Sequence, residues 1–192
     1  STTPHHSRLR SLILALSCWL VAYLLRESAR ALGQSERLLM FMDFLGQPGT
    51  RCRLQSRASF ARHRELVFRS YESMQISGRF ADFEDSLSCF SPKDKRTGEL
   101  KPPDFKFLEE HFWHFAARIG IAQPRAQKVR TKHYECQPDT LRMMVNSVIH
   151  PDDPIVPLPQ LAERLKETWG VCFGGCVDDH AGLQEAGHLG LD

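Results

Sequence analysis

The sequence predicts a mainly α-helical protein, with an N-terminal helical bundle over residues 1–90 and a C-terminal helical module over 104–192. Three observations predict it. Apolar residues recur at three- and four-residue steps, most regularly at Phe105, Leu108, Phe112, Phe115 and Ile119, which places them on one helical face. Helix-ending glycines and helix-opening prolines punctuate these runs, among them Gly33, Gly120, Gly170, Pro138 and Pro159. The 192 residues are 42% hydrophobic and 25% charged, which is enough to build a core and excludes a disordered chain.

The first helix is expected from Arg8 to about Leu32. Its stretch from Ser11 to Leu25 carries no charge. A spanning helix takes roughly 20 apolar residues, so this shorter run reads first as a buried core helix. A membrane anchor is the alternative for residues 11–25. A signal segment is another: Arg8 and Arg10 precede the run, and Ala29-Arg30-Ala31 resembles a cleavage site. Arg26, Glu27 and Arg30 oppose cleavage there. Ser35–Leu45 is expected as a second helix capped by Ser35, with Gly46, Pro48 and Gly49 breaking it. A third runs from Ser56 to about Met74, with Phe60, His63, Val67, Tyr71 and Met74 on one face. Phe80–Phe90 is read as a shorter helix.

Residues 91–103 hold charges, a glycine and three prolines without apolar period, and read as a linker or a long loop. Asp104–Ile119 follows as a helix with Asp104 as N-cap. Ile121–Gln137 is polar and basic, hence irregular or briefly extended. Pro138 opens a helix closing at His150, with Leu141, Met144, Val145 and Val148 aligned. A proline-rich loop leads to a helix opened by Pro159, whose Leu161, Leu165 and Trp169 face inward. Val171–Val177 reads as a short strand or turn, and Asp179 caps a last helix ending at Gly187.

Pro138–Ala186, with Pro159-Gln-Leu-Ala-Glu-Arg-Leu-Lys-Glu-Thr-Trp-Gly-Val, resembles the early helices of helix-turn-helix and winged-helix domains. The resemblance implies a recognition helix near 178–187. That segment carries Asp178, Asp179 and Glu185 where a groove-reading helix needs basic or neutral side chains, so a protein partner fits it better than DNA.

Net charge is only +2, so an argument for nucleic acid rests on local clusters. Arg51, Arg53, Arg57, Arg62, Arg64 and Arg69 crowd one region against Glu65. Arg125, Lys128, Arg130 and Lys132 form another, followed by Tyr134. Guanidinium and ammonium groups pair with phosphates, and a neighbouring aromatic can stack on a base. The competing reading is a solvated face with salt bridges to Asp82, Glu84 and Asp85.

Six cysteines, the first four far apart, read as reduced thiols of a cytoplasmic protein. His133, Cys136, Cys172 and Cys176 offer imidazole and thiolate donors of the kind that hold zinc, with His180 and His188 beyond; burial of the thiols is the competing reading. His111 and His114 lie one turn apart without a zincin pattern or the Glu-x-x-His element of di-iron bundles. Cys176, Asp178, Asp179 and His180 group nucleophile, acid and base in sequence, but catalysis needs them placed in space. No nucleophile elbow, Walker loop or dinucleotide fingerprint is present.

The expectation is therefore a non-enzymatic component of a nucleic-acid-handling assembly. It would contact phosphates through its Arg/Lys clusters and protein partners through apolar helix faces. A structural or scaffold subunit, membrane-associated through 11–25, is the alternative. A small zinc-stabilised or Cys-dependent enzyme is the second.

Overall fold

The computed structural model describes residues 4–34, 39–44, 46, 49–76, 93–99, 105–126 and 131–173. Among these the chain is mainly helical. Five helices run in the order α1 (Pro4–Ala31), α2 (Arg51–Ile76), α3 (Phe105–Arg118), α4 (Pro138–Val148) and α5 (Leu158–Trp169). Four two-residue strands accompany them: β1 (Met40–Phe41), β2 (Ala122–Gln123), β3 (His133–Tyr134) and β4 (Val171–Cys172). The expected helix over 80–90, the last helix near 179–187 and the Asp104 cap lie outside the described residues.

The core is built around α2. Its Phe60, His63 and Val67 are fully buried, on the face that the three- and four-residue steps pick out. Phe60 stacks on Phe112 of α3 and meets Tyr134 of β3 edge-on, with ring centroids 5.7 and 5.0 Å apart. Small residues let α1 lie close to α2: Ala29 is buried, and the hydroxyls of Ser28 and Ser70 meet at 3.1 Å. Cys18, Val21 and Leu25 of α1, Met143 and Met144 of α4, and Leu165 and Trp169 of α5 join the same cluster. Buried residues from both sides of segment 91–103 thus share one apolar interior.

Two expectations are corrected. Residues 39–44 were expected inside a helix, and they are extended instead. Every residue from Leu39 to Asp43 is buried, and such a segment has no polar face for a surface helix to present. Its backbone bonds go elsewhere. β1 pairs in parallel with β4, Met40 opposite Val171 and Phe41 opposite Cys172. Beyond the pair, Met42 N–H donates to Cys172 O at 2.9 Å and Asp43 N–H to Tyr134 O at 2.9 Å. Ser59 of α2 completes the set, accepting from Phe41 N–H at 3.2 Å and donating to Leu39 O at 3.3 Å. With donors and acceptors satisfied laterally, a helix has nothing to add.

The second correction concerns α1. It was expected to be a buried core helix, yet only 17% of its most apolar window is buried. One face joins the core; the other is open.

The irregular 121–137 region resolves into an antiparallel pair, Ala122 opposite Tyr134 and Gln123 opposite His133. Helix ends follow the sequence signals. Gly170 sits at φ +68° with its N–H on Lys166 O at 2.9 Å, ending α5. Pro138 occupies the first turn of α4.

Candidate functional site

Where β1 runs out against β3, four ionisable side chains meet: Asp43, Arg53, His133 and Glu135. Each is placed by a neighbouring constraint. Asp43 is held by its backbone bond to Tyr134. Arg53 stands in the first turn of α2, where its N–H is capped by Thr50 Oγ1 at 3.2 Å. His133 and Glu135 flank Tyr134, whose carbonyl takes the Ser56 hydroxyl at 2.8 Å and whose phenol oxygen lies 2.7 Å from His63 Nδ1.

The side chain of Asp43 is fully buried, and its carboxylate accepts from Arg53 Nε. Arg53 Nη2 reaches Glu135 Oε2 at 3.2 Å, and His133 Nε2 donates to the same oxygen at 2.9 Å. Burial lowers the His133 pKa from its ordinary value, outweighing the Glu135 hydrogen bond and charge that raise it. The neutral ring therefore carries its proton on Nε2. Its Nδ1 is buried and finds no partner among the described residues.

Asp43, His133 and Glu135 place three ligand atoms within 4.8 Å of one another, a spacing a metal ion could bridge. The donor set, however, already contains its cation. The Arg53 guanidinium bonds both carboxylates, so a divalent ion would compete for the same oxygens. One guanidinium is thus shared between two carboxylates, with the His133 ring hydrogen-bonded to the second.

The zinc donors expected from the sequence do not form one ligand group among the described residues. His133 turns to Glu135. Cys136 Sγ lies 3.9 Å from both Met42 Sδ and Met144 Sδ, and burial pushes its thiol up to about 12. Cys172 is buried with Leu39 and Phe41. Cys176, with Asp178, Asp179, His180 and His188, lies outside the described residues. No disulfide joins Cys18, Cys52, Cys136 or Cys172 among the described residues. His111 stacks on Phe115 at 6.2 Å between ring centroids.

The basic residues divide by environment. Arg51, Arg57 and Arg62 are exposed on α2. Arg53 is committed to Asp43 and Glu135. Arg64 lies over the Trp113 ring, 4.8 Å from its centroid, and Arg69 pairs with Glu65 at 2.7 Å. Arg125 is exposed and donates to Gln137. Lys132 is buried, its Nζ donating to Pro124 O at 2.6 Å and Ala126 O at 3.3 Å. Lys128 and Arg130 lie outside the described residues.

The largest unsatisfied feature is apolar. Leu9, Leu12, Ile13, Leu16, Trp19, Leu20 and Tyr23 stand in a row on α1, each between 48% and 58% exposed. Their steps of three and four residues make this one continuous stripe, with Trp19 and Tyr23 stacked at 5.3 Å. A stripe of this length is the kind of patch that marks an interaction surface. The sequence carried the signal in its charge-free run, which nevertheless reads the same whether a helix is wrapped on every side or only on one.

No family model, no curated protein and no solved structure matches this chain. Function rests on the chain's own geometry.

Proposed function

We propose that the protein is a non-catalytic docking component of a larger assembly, held in place through the outer face of α1. The observation that carries this reading is the seven-residue apolar stripe. Exposed apolar area costs free energy in water, roughly 25 cal/mol per Å², and a stable fold keeps so long a row open only where another surface covers it. The clustered titratable groups are engaged with one another, Arg53 bonding both Asp43 and Glu135, and burial pushes the Cys136 thiol up to about 12.

The test uses Leu16→Glu/Leu20→Glu. The wild-type chain is expected to self-associate or to need detergent in sedimentation, whereas the double variant is monomeric without detergent and keeps its helical circular dichroism. A wild-type chain that stays monomeric without detergent at high concentration, unchanged by the substitutions, would overturn the reading.

A second reading, contact with nucleic-acid phosphates, is supported by Arg51, Arg57 and Arg62 standing exposed on α2. Neutralising these three should lower affinity for duplex DNA or RNA at low salt by tenfold or more, roughly one counterion of salt slope per lost contact. Absence of measurable binding at low salt would remove it. The resemblance of α4 and α5 to the opening of a helix-turn-helix gives it no direct support, since the segment that would read a groove lies beyond the described residues.

A further inference from the structure

We infer that the outer stripe of α1 docks on an anionic bilayer surface, lying along the membrane rather than crossing it. The inference rests on the docking reading above and names the surface that is met.

α1 is 28 residues long and apolar enough, by length and composition, to cross a membrane. The fold argues for a different disposition. Its inner face is locked into the core through Cys18, Val21 and Leu25, and Arg10 ties it to Asp139 of α4 at 2.6 Å. A crossing helix would have to withdraw that face from the interior. A helix that keeps it can offer a bilayer only its outer stripe, which is how an interfacial helix binds.

Charge chooses among the surfaces that could cover the stripe. Across α1 the sequence carries His5, His6, Arg8, Arg10, Arg26 and Arg30 against a single acid, Glu27, which pairs with Arg30 at 2.8 Å. Arg8 and Arg26 are about five helical turns apart and Trp19 is about three turns from Arg8, so all three fall along one edge of the stripe. Both arginines are exposed. An apolar band with an arginine at either end of its own edge matches an acyl boundary beneath anionic headgroups, where basic side chains reach the phosphates. Trp19 and Tyr23, stacked within the stripe, are the residue types that settle at that boundary.

The protein carries its own reporter. Of its three tryptophans, Trp113 and Trp169 are buried, 6% and 8% exposed, while Trp19 is 56% exposed. Any change of intrinsic emission on adding lipid therefore reports chiefly on the stripe.

The experiment mixes the full chain with vesicles of phosphatidylcholine alone or with phosphatidylglycerol, and reads flotation, tryptophan emission and quenching by brominated acyl chains. The expected result is flotation with a blue shift on anionic vesicles, an affinity roughly tenfold or more above that for neutral ones, and quenching of wild-type Trp19 by the brominated lipid. Arg8→Gln/Arg26→Gln should erase the preference for anionic lipid, and Leu16→Glu/Leu20→Glu should abolish binding. The brominated-lipid arm uses only the wild-type chain, so a variant that fails to fold leaves the test intact. Equal binding to both vesicle types, or none to either, would overturn the inference. Detergent-dependent self-association without vesicle binding would also overturn it, by making a second copy the occupant, and would leave the docking reading standing.

Discussion

At the scale of single residues, the cluster around Asp43 shows how far chemistry can be anticipated from sequence. The Arg53 cation was legible as one of a group of arginines but not as the partner of Asp43, because Asp43 sits in a run of apolar residues whose backbone course is fixed by strands distant in the chain. Nothing local distinguishes Arg53 from Arg57; one turn of helix decides that the first is largely covered and the second exposed. The sequence offers His133 as a zinc donor beside Cys136 and Cys172, whereas in the fold its ring hydrogen-bonds Glu135 and stands near Asp43. Its lowered pKa has a consequence for stability. Above the ordinary value of 6.5 the ring is neutral in both folded and unfolded chains, and its contribution is intact. As pH falls below 6.5 the unfolded chain takes up a proton that the buried ring resists, so stability is lost until the lower folded-state pKa is passed. The urea midpoint should fall between neutral and mildly acidic pH, and His133→Gln should flatten that dependence. Parallel curves for the two proteins would show that His133 does not carry the effect.

At the scale of elements, the helices with a polar side were legible and the buried extended segments were not. α3, α4 and α5 follow their apolar periods to within a residue or two. β1 was misread because four consecutive buried residues, Leu39 to Met42, have no period to betray a strand, and its partner β4 lies at the far end of the described chain. The junction of α3 with α4 gives a sharper example of local necessity. Gly120 has φ +79°, and a Cβ there would lie 2.8 Å from Thr140 Oγ1 and 3.1 Å from Gln137 Cβ. Neither neighbour is free to move: Thr140 Oγ1 donates to Ile119 O at 2.7 Å, and Gln137 N–H donates to Gly120 O at 2.8 Å. Gly120→Ala should therefore cost about 1–3 kcal/mol in chemical denaturation, with strain and crowding both contributing. Gly98 shares a left-handed backbone, φ +72°, but has nothing within 4 Å, so Gly98→Ala should cost visibly less. Equal losses at the two sites would mean that the Thr140 contact does not matter.

At the scale of the whole molecule, the sequence announces an apolar first helix and leaves open what surrounds it. Composition gives the amount of apolar surface; only the packing of α2 and α4 against one side of α1 decides which part of it stays in water. The detergent and vesicle experiments both belong to this scale, since each asks what the assembled surface meets. The parallel pairing of β1 with β4 has a consequence of its own. Met40 cannot find Val171 until nearly all the intervening chain exists, and closing so long a loop is entropically expensive. During synthesis the segment around Met40 can meet Ser59 of α2 early, but its strand partner emerges far later. The seam that joins these two distant stretches is thus set to close late, and a chain cut short before residue 170 would leave the Met40 and Met42 N–H groups without the carbonyls of Gly170 and Cys172.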